Sequence, residues 1–238
     1  MRKILSVLKG LLLFIVAFIL TMISYLLLSY IQRIVLVPDD FLLWTFNFPV
    51  IILIIIVELF VITILFYFFH KSFREYFQAN FSNKDFVRKH QKLVIGSFIG
   101  GSIFLLYTTV TSITVVTPDK VIDHSFLRPL GREYTYDDVV KIDTEVKSEK
   151  SIIPLYSEGD FIYIIELSSG KRVYLNDVGE TNDYEHPFFT IEEIDRKLVN
   201  RGIPKASSME NFELATKDLD KVYTDGIRRI LENTDSVE

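Results

Sequence analysis

Three apolar runs, at residues 10–31, 43–69 and 93–116, decide what this chain can fold into, and the only charge among them is Glu58. A hydrocarbon layer about 30 Å thick is crossed by about 20 apolar residues rising 1.5 Å each, so every run is long enough to span it. The first run follows Met-Arg-Lys, but it exceeds the roughly 7–15 apolar residues of a secretory signal and no small-x-small cleavage site follows. It reads as an uncleaved anchor, and the three runs together predict a helical membrane bundle over residues 1–116.

Basic residues in short flanks are retained on the cytoplasmic side during insertion. Arg2, Lys3 and Lys9 flank the first run, and Lys71, Arg74, Lys84, Arg88, Lys89 and Lys92 fill the loop after the second. The loop between them, "QRIVLVPDDF", carries only Arg33 and two aspartates. This asymmetry predicts a cytoplasmic N-terminus, a cytoplasmic basic loop and, after a third crossing, an extracytoplasmic C-terminal part. The same loop spaces Phe73, Phe77 and Phe81 by four among its charges, which suits either a solvated helix acting as topology signal or a segment that gathers anionic lipid heads. Trp44, Phe46 and Phe48, with Phe66–Phe69 at the other end of the second run, are expected in interfacial aromatic belts.

Two features inside the apolar runs could carry function. Glu58, in "IIIVELFV", would cost at least about 2.5 kcal/mol if ionised in lipid, so it should face protein or water, or stay protonated, with Thr21, Ser24, Ser102 and Tyr107 offered at similar depth. In "GSFIGGS" the spacing of Gly96 and Gly100, with Gly101 beside them, lets helix backbones approach within one bundle, and also admits a homo-oligomer.

The pattern changes at Ser112. "SITVV", "KVIDHSF", "YDDVVKIDTEV", "FIYIIEL" and "RVYLNDV" are short Val-, Ile-, Tyr- and Phe-rich runs separated by the turn signals "TPD", "PLG", "SEG" and "SSG". They predict antiparallel strands, with a hairpin turning at Ser169-Gly170. "TIEEIDRKLVNRGI" predicts a helix capped by Thr190 with Glu193 three residues on, stopped by Gly202 and Pro204. A further helix is expected from Met209 to Leu231. This half is also acidic: up to Val116 the chain nets +5, and from Thr117 it nets −10.

The run from "SITVV" through "YDDVVKI", the later hairpin and the helix at 190–201 resemble bacterial pleckstrin-homology-like domains. The resemblance implies a bent barrel or sandwich of roughly seven strands closed by a helix, at residues 117–203, with a helical extension over 204–238. It also implies a binding or assembly module without catalytic residues. Lipid-binding members cluster more basic groups than Arg128 and Arg132 supply here, and the acidic balance opposes anionic headgroups.

No nucleophile–base pattern, phosphate loop or metal-ligand spacing occurs. His70, His90, His124 and His186 are scattered, and Asp137-Asp138 fits a turn cap better than a catalytic pair. With no cysteine there is neither a disulfide nor a thiolate metal site. No catalytic residue, cofactor or metal is therefore expected. The leading expectation is a non-catalytic membrane protein that touches lipid and presents its outer domain to a protein of the cell envelope, as a subunit of a complex or in an immunity-type role. Nucleic acid is not an expected partner. A small transporter or channel component using Glu58 across an oligomer is the alternative.

Overall fold

In a computed structural model the described residues are 2–80, 90–148, 158–182 and 186–234. They form two compact units, one of residues 1–35 and 48–110, the other of residues 36–47 and 111–238.

The first unit is helical. It comprises α1 (Arg2–Leu36), α2 (Phe48–Phe69), α3 (Lys71–Asn80) and α4 (Gln91–Thr111). Among the described residues two stretches, Val7–Leu36 and Ile52–Phe69, are long and apolar enough to cross a membrane, and almost none of either is buried in protein. Gln32 of α1 donates from Nε2 to the carbonyls of Thr109 (2.9 Å) and Val110 (3.3 Å), supplying partners that the last turn of α4 lacks within its own helix. Past the end of α2, α3 folds back so that Phe73 meets Phe66 and Phe77 meets Tyr67, at centroid distances of 5.8 and 5.6 Å.

The second unit is mainly β. Its strands are β1 (Leu43–Phe46), β2 (Ile113–Val116), β3 (Lys120–Ser125), β4 (Arg128–Thr135), β5 (Val139–Val146), β6 (Phe161–Leu167), β7 (Arg172–Tyr174), β8 (Val178–Thr181) and β9 (Lys205–Ser207). Helices α5 (Pro187–Val199), α6 (Phe212–Thr216) and α7 (Lys221–Glu232) complete it. One sheet has the order β4-β3-β2-β1-β8, the other β7-β6-β5-β9. All pairings are antiparallel except β5 with β9. Val139, Ile142 and Val146 of β5 meet Ile191, Ile194 and Leu198 of α5 and Ile227, Ile230 and Leu231 of α7 in one buried cluster.

Several expectations change. The run 43–69 is not one span: Leu43–Phe46 is a strand of the β unit and the helix starts at Phe48. Trp44 is accordingly no belt residue. It is fully buried in β1, edge-to-face with Phe46, its ring lying over Gly179, where a Cβ would come within 2.3 Å. The run 93–116 is helical only to Thr111, because the β-branched Ile113–Val116 pairs on both sides as the sheet's middle strand. Residues 36–47 and 111–116 fall in the same compact unit as the strands that follow them, and so do the described residues 204–234.

The capping expectation also shifts. Helix α5 begins at Pro187, and His186, not Thr190, is its N-cap, accepting from the Phe188 N–H. The "PLG" turn lies inside β4, and the real turn is Phe126-Leu127. The helix expected from Met209 to Leu231 is two helices separated at residues 217–220. The Ser169-Gly170 hairpin joins β6 to β7 as read, with Gly170 at φ 79°.

Candidate functional site

The strand registers bring one end of the first sheet to notice. Phe46 lies opposite Ile113, and the Asn47 N–H donates to Ser112 O at 3.1 Å. The two places where the chain passes into α2 and out of α4 are thus side by side. Strand β3 runs back along β2, with Val121 opposite Val116 and Asp123 opposite Thr114, so it finishes at this same end.

A polar clamp ties that end together. Asn47 donates from Nδ2 to His124 O (2.9 Å) and accepts at Oδ1 from the Thr114 hydroxyl (2.8 Å). Lys171, in the β6–β7 turn, donates to Asn47 Oδ1 (3.2 Å), Thr114 Oγ1 (3.3 Å) and the Asp123 carboxylate. An ammonium has three N–H groups, and three acceptors take them. Burial lowers the Lys171 pKa while Asp123 opposes the shift. With its donors committed, this lysine is a brace rather than a nucleophile.

Beyond the clamp, the β3–β4 hairpin closes on a two-residue turn, with Ser125 paired to Arg128. The register then slips, since Asp123 pairs with Arg132, and residues 129–131 bulge out of β4. His124, 5% exposed, braces the bulge: its Nδ1 lies 2.9 Å from Pro129 O, so Nδ1–H donates and the buried Nε2 is left without a partner. Gly131, at φ 82°, passes over Ile122 and His124 where a Cβ would sit 2.7 Å and 2.9 Å from their side chains. The result is a fixed apex presenting Leu127 and Leu130, 76% and 95% exposed, beside Phe126. Arg128 and Arg132, expected in a loop, lie in β4, the edge strand of the sheet, and both are exposed.

A second surface surrounds α6. Met209, Leu214, Leu219 and Val222 are exposed among Glu210, Glu213, Asp218 and Asp220. Underneath, Asp195 and Lys205 form an ion pair at 2.6 Å with both side chains 1% exposed. Asp195 also accepts from the Tyr163 hydroxyl (2.8 Å) and Asn233 Nδ2 (2.7 Å), and Lys205 donates on to Ile230 O, the last turn of α7. This network fastens α7 to β6, α5 and β9 and leaves none of its members free to react. Asp138 is likewise a cap, accepting from the Thr135 N–H (2.8 Å) and hydroxyl (3.0 Å), which lowers its pKa.

In the helical unit a cavity of about 460 Å³ is lined by Thr21, Ser24 and Tyr25 of α1, Ile56 and Val61 of α2, and Ser97, Gly101, Ser102 and Thr109 of α4. Thr21, Ser24 and Ser102 are thus brought together, and Tyr107 is not among the lining residues. Thr21 and Thr109 donate to carbonyls of their own helices. Glu58 lies in α2, but its side chain, like residues Lys84, Arg88 and Lys89, lies outside the described residues. Lys71 and Arg74 are on α3, Lys71 within 3.7 Å of Glu75, and Lys92 opens α4. A Cβ built on Gly96, Gly100 or Gly101 meets nothing within 4 Å. Among the described residues no group of acidic and histidine side chains is arranged to hold a metal ion.

Strand β1 and the apex were not foreseen. Trp44-Thr45-Phe46, β-favouring residues after the Pro38-Asp39-Asp40 turn, are the signal that could have found the first. Comparison with known proteins gives no match to any family model, curated protein or solved structure.

Proposed function

We propose that this chain is an integral membrane protein with three spans, α1, α2 and α4, which hold a pleckstrin-homology-like β unit at the outer face of the membrane as a non-catalytic binding module for a basic protein of the envelope. The observation that carries the reading is the pairing of β1 with β2. A strand from the loop before α2 lies beside the strand after α4, so both loops belong on one side, which two intervening crossings provide. The basic flanks favour the outside for that side.

Further support comes from α2. Its Ile- and Val-rich run would favour a strand in water, yet it is helical, and none of the described residues of Ile52–Phe69 is buried. In lipid a helix satisfies every backbone group internally, and exposed Leu and Phe carry no penalty. Only Ser112 separates α4 from β2, a link that supports a unit held close to the membrane that α4 is proposed to span. Its acidic, partly apolar face around α6 suits a basic partner whose association weakens with salt.

The test is photocrosslinking in native membranes from position 213 or 218 of the full chain, with binding then titrated against salt. A fragment starting at Thr117 would lack β1 and β2 and is unsuitable. One basic protein captured at both positions, and lost at high ionic strength, is expected. Salt-independent capture removes the electrostatic element, and turnover of a substrate by the purified chain defeats the non-catalytic reading. The cavity beside the Glu58 segment keeps a second reading, transport by an oligomer, on the table. Ion flux in vesicles that vanishes in Glu58→Gln would favour it.

A further inference from the structure

We infer that the β3–β4 apex is a lipid anchor: Phe126, Leu127 and Leu130 enter the headgroup–acyl boundary of the outer leaflet while Arg128 and Arg132 meet lipid phosphates. The inference rests on the membrane-spanning reading of α1, α2 and α4 and adds a non-covalent attachment to the three places where the chain passes between the helical and the β unit.

The residue types come first. A two-residue hairpin turn in water ordinarily takes Asn, Gly or Asp, whose backbones tolerate the tight bend. Here the turn is Phe-Leu, and neither residue adopts positive φ. Leu127, 76% exposed, and Leu130, 95% exposed, contribute little to the packing of the sheet. From His124 to Arg132 there are two arginines and no acid, on a half that nets −10. Apolar residues flanked by Arg form the pairing that an anionic bilayer surface binds, through buried apolar area and phosphate contacts together.

Position supplies the occupant. The apex lies at the end of the sheet where Asn47 and Ser112 lead into the apolar helices. By register Ser125 stands level with Ser112, so Phe126 and Leu127 project one or two residues past it, about 3–7 Å at strand rise. That is the depth of an interface. The brace of His124, Pro129 and Gly131 keeps Leu130 turned outward without an induced change.

The chain has no cysteine, so single-cysteine variants are clean. Leu127→Cys, Leu130→Cys, Leu20→Cys in α1 and Glu213→Cys would carry an environment-sensitive fluorophore. The full chain is reconstituted in phosphatidylcholine vesicles with or without phosphatidylglycerol, using nitroxide lipids labelled near the headgroup or at mid-chain. Labels at 127 and 130 should emit at shorter wavelength than the one at 213. They should lose emission chiefly to the shallow nitroxide, more so with phosphatidylglycerol, while position 20 is quenched by the deep one. Water-like emission at 127 and 130 with position 20 still quenched overturns the anchor and leaves the spans intact. An unquenched position 20 overturns both. Shielding of 127 and 130 that appears only with native membrane protein present assigns the apex to a protein partner instead, and the lipid anchor falls.

Discussion

Removing the Asp195 carboxylate should unfasten the C-terminal helix. In Asp195→Ala, Lys205 keeps its charge at a site 1% exposed, while the Tyr163 hydroxyl and Asn233 amide lose their acceptor. Breaking a desolvated ion pair by deleting one member typically costs about 3–5 kcal/mol. At about 3 °C per kcal/mol for a domain of this size, the unfolding midpoint should fall by about 10–15 °C. Trp44 is the sole tryptophan and is fully buried in β1, so its emission reports unfolding of the β unit within the intact, detergent-solubilised chain. Asp195→Leu combined with Lys205→Met should recover most of the loss, because no buried charge remains. The sign with pH follows from Lys205, whose pKa burial lowers. Between that lowered value and the ordinary lysine value near about 10.4 the unfolded chain binds the extra proton, so stability rises with pH through this window. The Asp195→Ala deficit should therefore shrink in alkali. A midpoint shift under about 3 °C, or a deficit that grows in alkali, would refute the view that this pair is desolvated and paired.

Gly179→Ala should displace β1, because the new Cβ would overlap the Trp44 ring at 2.3 Å; a loss of about 1–3 kcal/mol with red-shifted Trp44 emission is expected. At His186, burial lowers the imidazole pKa, and its Nδ1 must stay unprotonated to accept from Phe188. Stability should thus fall as pH drops from about 6.5 toward the lowered value and level off below it, and His186→Asn, which keeps a capping acceptor, should flatten that part of the acid slope in thermal unfolding.

The legible parts of this fold were those with local causes. The apolar runs reported their helices through length alone, and Ser169-Gly170 reported its hairpin through turn chemistry. What escaped depends on distant partners. Leu43–Phe46 reads as the start of an apolar run, since only pairing with Ile113–Val116 and Val178–Thr181 makes it a strand. Thr190 and Glu193 satisfy the capping pattern, yet Pro187 starts the helix four residues earlier than that cap implies and hands the cap to His186. The apex escaped because "PLG" is a strong turn signal, whereas here Pro129 and Gly131 serve a bulge braced by a buried histidine. The basic loop and the glycines could be named from composition, but their partners could not.

The central claim is that the loop before α2 and the domain after α4 share the outer side of a membrane. Single cysteines at Asp39, Glu213 and Lys71, probed in intact cells with a membrane-impermeant maleimide, test it directly. The account predicts labelling at 39 and 213 without permeabilisation and at 71 only after it; labelling at 71 in intact cells with 39 and 213 protected would contradict it.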